Sequence, residues 1–204
     1  MTGPSRVWHW YDFACPYSYV AQDRNAGLRR LGLCPDLLPY SVRMETGPAG
    51  ALGTALDSPT HQFLERAAQA AGLVLRWPTR VPNTRDALRV VEWVRQYQPD
   101  LFEPLHQRVF AAHFALGADI SDLDLIYSLA DHDGVDIAGV RAAIADGTAE
   151  AAVVLSESAA KRRGVTGPPA WFIGDRVITG IDSPALRSIC VTPVTASRRS
   201  GVRR

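Results

Sequence analysis

The sequence predicts an α/β fold in which a strand-helix-strand start and a hairpin-helix finish enclose a long run of helices. Three observations carry that reading. Residues 7–13 are apolar and aromatic, and they break at Cys15-Pro16 into helical spacing. Residues 61–147 are punctuated as successive helices by Gly72, Pro99, Gly117, Gly134 and Gly147. Late in the chain, two short apolar runs meet at Gly174-Asp175 as a hairpin.

Taken in order, residues 7–13 form the first strand and residues 18–31 a helix carrying Val20, Ala21, Ala26 and Leu28 before Gly32. Residues 36–42 form the second strand, and a loose Gly/Pro/Ala stretch covers residues 47–59. Residues 61–71 place Phe63, Leu64, Ala67, Ala68 and Ala71 at helical spacing. Asn83-Thr84 can cap the next helix, whose Ala87, Val90, Val91 and Val94 share one face. Residues 101–114 follow, with Leu105, Val109, Phe110 and Phe114. Ser121-Asp122-Leu123-Asp124 reads as a capping box with Asp in place of Glu. A long helix over residues 148–163 precedes the hairpin strands at 170–173 and 177–179, and residues 184–190 make a short last helix. This order divides the chain into residues 1–57 with 148–190 as one domain and residues 58–147 as a helical insertion. Residues 191–204 lack apolar periodicity and read as a disordered, solvated tail.

Charge narrows the function classes. Lys+Arg number 22 against 21 Asp+Glu, a net charge of +1, so nucleic acid and membrane surfaces are not expected partners. No apolar run approaches the ~20 residues of a membrane span, and the first residues lack the pattern of a secretory leader, which predicts a cytoplasmic protein. Cys15, Cys34 and Cys190 are too scattered for a disulfide scaffold, and no Cys/His spacing suits a metal, so none is expected.

The informative cysteine is Cys15. The pattern puts it at the first turn of a helix, where free backbone N–H groups and the helix dipole favour the thiolate, and Pro16 loses nothing because its N–H would have been unpaired. Cys15 is thus read as a nucleophile. Ser18 stands where a second cysteine would resolve a mixed disulfide, so the site is a monothiol. One turn on, Ser18 either donates to the sulfur or bonds its own helix backbone. Tyr17 either shapes the pocket or packs. Cys34 reads as a buried core thiol, and Cys190 as structural.

Residues Asp12-Phe13-Ala14-Cys15-Pro16-Tyr17-Ser18-Tyr19 and Gly164-Val165-Thr166-Gly167-Pro168-Pro169-Ala170-Trp171-Phe172-Ile173 together resemble the DsbA superfamily of thioredoxin-fold proteins. The similarity is to the FrnE-like branch and its relatives, 2-hydroxychromene-2-carboxylate isomerase and kappa-class glutathione transferase. Cys15 matches the oxidoreductases, while Pro16-Tyr17-Ser18 matches the isomerase and transferase. Pro82-Asn83-Thr84-Arg85 with Ala87-Leu88-Arg89, and the run from Leu101-Phe102 to His113-Phe114, resemble two further segments of the group. The resemblance implies a thioredoxin-like core with an inserted all-helical domain. It also implies that Pro169 is a cis-proline facing Cys15, with backbone groups turned outward for a bound thiol compound. Pro168 has no N–H, which removes one such donor, and Thr179-Gly180-Ile181-Asp182 keeps the Asp of a glutathione-binding pair but replaces its Ser with Ile.

The candidate catalytic residues are Cys15 and Ser18. The candidate substrate-binding residues are Tyr17, Asn83, Thr84, His113, Pro168, Pro169, Trp171 and Asp182. Asn83, Thr84 and Arg85 also fit a helix cap with a solvated Arg. His113 fits a general acid or base, or a packed histidine, and Trp171 a core residue or a stacking platform. A thiolate without a resolving partner suits reversible attack on an unsaturated carbonyl, so a cis/trans isomerase of a free or carrier-bound enone, enoyl or polyenoyl compound is expected. The alternatives are a monothiol disulfide oxidoreductase or glutathione-transferase-like enzyme, and a non-catalytic chaperone or binding module. No cofactor is required, glutathione or another small thiol being the candidate co-substrate, and the family analogy suggests a homodimer.

Overall fold

The structure, a computed structural model, describes residues 7–42, 51–52, 59–184 and 186. A four-stranded sheet organises it. Strand β1 (Val7–Tyr11) runs parallel to β2 (Pro35–Pro39), helix α1 (Pro16–Arg30) being the crossover between them, and antiparallel to β5 (Ala170–Ile173), which pairs in turn with β6 (Arg176–Thr179). The strand order is β2-β1-β5-β6. β1 is internal and covered on both faces, which is why its sequence reads as a continuous apolar run. Between β2 and β5 come β3 (Ala51–Leu52), α2 (Pro59–Ala70), β4 (Arg80–Val81), α3 (Arg85–Tyr97), α4 (Pro99–Phe114), α5 (Leu123–His132), α6 (Ile137–Ala145) and α7 (Thr148–Arg162).

Three clusters pack on β1, two on one face and one on the other. Val7 joins Val20, Ala21 and Leu28 of α1, Leu64 and Ala68 of α2, and Trp171 of β5. Tyr11, with Phe13, enters the large core built by α3 to α6, including Val91, Leu105, Phe110 and Ile126. On the opposite face Trp10 packs against Ala160 of α7, with Val165 and Ala170.

Several boundaries differ from the pattern in the sequence. β1 ends at Tyr11 because Phe13 and Ala14 form a turn, and α1 starts two residues earlier than expected, at Pro16. The loose 47–59 stretch contains β3, whose Ala51 and Leu52 pair with Val81 and Arg80 of β4, too short for a sequence pattern. The cap of α5 is Asp122 rather than Ser121: its carboxylate accepts from the N–H groups of Asp124 and Leu125, while the Ser121 hydroxyl accepts from Asn83 N–H at 2.9 Å. Arg85 is not solvated. Its guanidinium joins α3 to α7 through Glu150 and Glu157. Residues 187–190, including Cys190, and the 191–204 tail lie outside the described residues.

Candidate active site

The turn between β1 and α1 sets Cys15. It is the N-cap of α1 with extended backbone, and Pro16 takes the first helical position. The turn is closed by Cys15 N–H to the Asp12 carbonyl at 3.1 Å, and Tyr19 N–H continues the helix onto the Cys15 carbonyl at 3.1 Å. The half-buried thiol donates to the Pro168 carbonyl at 3.5 Å. Pro168-Pro169 is a cis peptide, and the Pro169 carbonyl accepts from Gly180 N–H at 3.1 Å, which fastens this loop to the end of the β5-β6 hairpin.

Burial pushes the Cys15 thiol up from its ordinary value, and the Asp12 carboxylate adds to that. The Ser18 hydroxyl and the N–H groups of Ser18 and Tyr17 act in the opposite direction, but the net shift is upward. This corrects the expectation of a thiolate made from the helix terminus alone: at Cys15 the loss of water outweighs the N–H groups of the first turn.

Cys15 opens on a cavity of about 350 Å³. His61, Trp77, Arg80, His113, Phe114 and Pro168 line it with Val42, and no carboxylate does so among its described lining residues. Arg80 is the cation of the wall. His61 meets the Trp77 ring edge-on at 4.1 Å, and Trp77 Nε1–H donates to Glu65 at 2.8 Å, which fixes the indole. His113 Nδ1 lies 3.3 Å from the Ala118 carbonyl. A carbonyl only accepts, so Nδ1 carries the proton in the neutral ring and Nε2 keeps its lone pair. Burial holds this ring below the ordinary histidine range, against the Ala118 carbonyl and Asp119, so it is neutral at neutral pH.

Cys15 thus starts α1 against the cis Pro168-Pro169 loop, with the helical block α2 to α7 lying between β2 and β5 in the chain. The profile of the DSBA-like thioredoxin domain matches residues 6–186. The chain belongs to this family. Among solved structures, the DSBA-like protein is similar to the probable DsbA oxidoreductase SCO1869 from Streptomyces coelicolor, at 24% identity and TM-score 0.72 over 98% of this chain and 93% of that one. It is also similar to a 2-hydroxychromene-2-carboxylate isomerase, at 22% identity and TM-score 0.67 over 85% and 88% of the two chains. A third likeness is to the cytosolic disulfide reductase DsbM from Pseudomonas aeruginosa, solved with GSH, at 18% identity and TM-score 0.62 over 91% and 93%. These are likenesses of fold.

Within the DSBA-like domain, Cys15, His113 and Pro168 come together on one cavity. Ser18 is buried beneath them and accepts from Asp12 N–H at 3.4 Å while its hydroxyl favours the Cys15 thiolate, so it serves both sulfur and backbone. The other candidates fall outside the cavity lining. Tyr17 packs toward Phe63 with ring centres 6.4 Å apart. Asn83 Oδ1 accepts from Arg85 N–H at 2.9 Å, and the Thr84 hydroxyl donates to Asp12 at 2.7 Å. Pro169 is buried behind Pro168, and Asp182 is exposed in the turn after β6. Trp171 is a core residue at 0% exposure: its ring stacks on His9 at 4.4 Å, and Nε1–H donates to Asn25 Oδ1 at 2.9 Å. Cys34, expected in the core, is instead exposed as the residue before β2.

Sequence reasoning missed Asp12 and the wall made by His61, Trp77 and Arg80. Asp12 had a signal: it is an acid placed directly after a strand buried on both faces. The wall residues had none, because they come from segments separated from Cys15 by tens of residues. Among the described residues, no group of three or more His, Cys, Asp or Glu side chains is placed to hold a metal, and no helix is long and apolar enough to cross a membrane.

Proposed function

We propose that this protein is a thiol-dependent E/Z isomerase of a conjugated enone, enoyl or polyenoyl compound, acting by reversible addition of Cys15. The observation that carries the reading is one thiol, with Ser18 rather than a second cysteine beside it, opening on a cavity of about 350 Å³ with an apolar and aromatic wall and no carboxylate among its described lining residues. Because Cys15 rests as a thiol, the reaction needs a base, and His113 Nε2 on the same cavity is suited to take the proton. The sulfur then bonds to the β-carbon, the π pair moves onto the carbonyl oxygen as an enolate, and the former double bond becomes single and rotates. Collapse of the enolate re-forms the double bond and expels the sulfur, which recovers its proton from His113. Electrons and atoms balance without an external oxidant or reductant. Arg80 is the group on the wall that matches the enolate charge.

Support also comes from the isomerase among the similar folds. A cytoplasmic setting belongs to this reading, since it keeps a lone thiol reduced. The second reading is a monothiol oxidoreductase that releases a mixed disulfide to a low-molecular-weight thiol, favoured by the likeness to a disulfide reductase solved with GSH. A Z-configured conjugated keto acid incubated with the protein, without added thiol, tests the choice. Conversion toward the E isomer by wild type but not by Cys15→Ser is the expected result. Conversion only when glutathione is added, or equally by Cys15→Ser, would contradict it.

A further inference from the structure

Two successive backbone N–H groups beyond the end of β2 point to two different buried carboxylates. Ser41 N–H donates to Glu157 at 3.1 Å, and Val42 N–H to Asp12 Oδ2 at 2.7 Å. The acids are 4% and 1% exposed, but their partners differ. Glu157 is answered by the Arg85 guanidinium at 2.6 Å. Asp12 accepts only from neutral donors: Val42 N–H, Ala14 N–H at 3.1 Å and the Thr84 hydroxyl at 2.7 Å, with no cation paired to it among the described residues. Burial raises Asp12 from its ordinary carboxylate value, and each of these partners, being a donor, acts against that shift in favour of the carboxylate. Its own backbone holds the active turn, the carbonyl accepting from Cys15 N–H and the N–H donating to Ser18.

We propose that Asp12 is the positioning residue of this site: its carboxylate ties the Cys15 turn to the Val42 wall and to the start of α3, and its unpaired negative charge on the same turn opposes a second negative charge at Cys15. Replacing carboxylate by amide tests both halves, because an Asn cannot accept from Val42 and from Ala14 and Thr84 at once without turning an NH2 toward a donor. The charge half follows from the shared turn, in which the Asp12 carboxylate accepts from Ala14 N–H and the Asp12 carbonyl from Cys15 N–H, in a buried setting where a negative charge opposes a second one far more than in water. Upward pressure on the Cys15 thiol from Asp12 agrees with it. The other titratable or charged groups facing the pair are Glu157 of α7, His61 of α2, Arg80 of β4 and His113 of α4.

The inference rests on Cys15 being the reactive group but not on the electrophile it attacks, so the test uses no unsaturated substrate. Iodoacetamide alkylation of Cys15 is followed by mass spectrometry against pH in wild type, Asp12→Asn and Thr84→Val. The inflection of Asp12→Asn is expected to move to lower pH, with alkylation at pH 7.5 faster by about 3- to 10-fold. Thr84→Val, which loosens the same clamp but keeps the charge, is expected not to move it downward. An unmoved or raised inflection in Asp12→Asn, or an equal fall in Thr84→Val, would overturn the charge role. Should Asp12→Asn fail to fold, the wild-type amide resonances of Val42 and Ala14 carry the test: they are expected to shift at the Cys15 inflection, and amides indifferent to that titration would overturn the proposal.

Discussion

Two buried polar clusters lie along the same strand and helix, and burial shifts groups in both. In one, His9 of β1 and Trp171 of β5 are joined through Asn25 of α1, whose side chain meets His9 Nδ1 and Trp171 Nε1 at 2.9 Å each. In the other, Cys15 and Ser18 start that helix under the cavity. Burial lowers His9 far below the ordinary histidine range and raises Cys15. The first cluster is sealed by a stacked indole and imidazole, while the second meets a cavity with His113 and Arg80 on its wall. A perturbed titration therefore marks a site only where a ligand can reach it.

The largest effect that would sharpen this contrast is at Cys15. Cys15→Ser is expected to lower isomerase turnover by about 10³-fold or more, with a urea unfolding free energy within about 0.5 kcal/mol of wild type. A variant that lost stability instead would make Cys15 a packing residue. Asn25→Ala should do the reverse. It leaves His9 Nδ1 and the Trp171 indole N–H without their buried partner and is expected to cost about 3 kcal/mol of stability, with the Cys15 alkylation rate of the folded protein unchanged.

His113→Gln comes next, with turnover expected to fall about 10²-fold. In wild type, activity should decline as pH drops through a His113 value below 6.5, since the ring must be neutral to take the thiol proton, and the variant's profile should lack that acid limb. The smallest effect belongs to the sealed histidines. His9 lies well below 6.5 and His106 at about 3, both chiefly through burial, so below pH 6.5 the unfolded chain takes up protons that the folded one refuses. Stability is full above 6.5 and lost as pH falls toward 3, by at most about 1.4 kcal/mol per pH unit for each ring. Urea titrations at successive pH values should show this slope, reduced by about one proton in His106→Leu.

The site was legible in the sequence wherever neighbours along the chain determine it. Strand, break, Cys15, Pro16 and helix follow from local chemistry, and the hairpin from Gly174-Asp175. What could not be read were contacts closed by the fold. Thr84 looked like a cap or a substrate contact, yet its hydroxyl is taken by Asp12, 72 residues earlier. Trp171 follows the cis X-Pro loop in sequence, but strand alternation turns it onto the His9 face, away from the cavity. The sign of the Cys15 shift depended on how much water the fold removes, which no helix-start pattern contains.

The central claim is that Cys15 adds reversibly to a conjugated carbonyl. Intact-mass spectrometry after mixing the protein with a conjugated dienoyl thioester and, separately, with oxidised glutathione tests it most directly. A reversible dienoyl adduct on Cys15 with E/Z scrambling of the recovered thioester is the predicted result; a stable glutathione mixed disulfide with no dienoyl adduct would contradict it and favour the oxidoreductase.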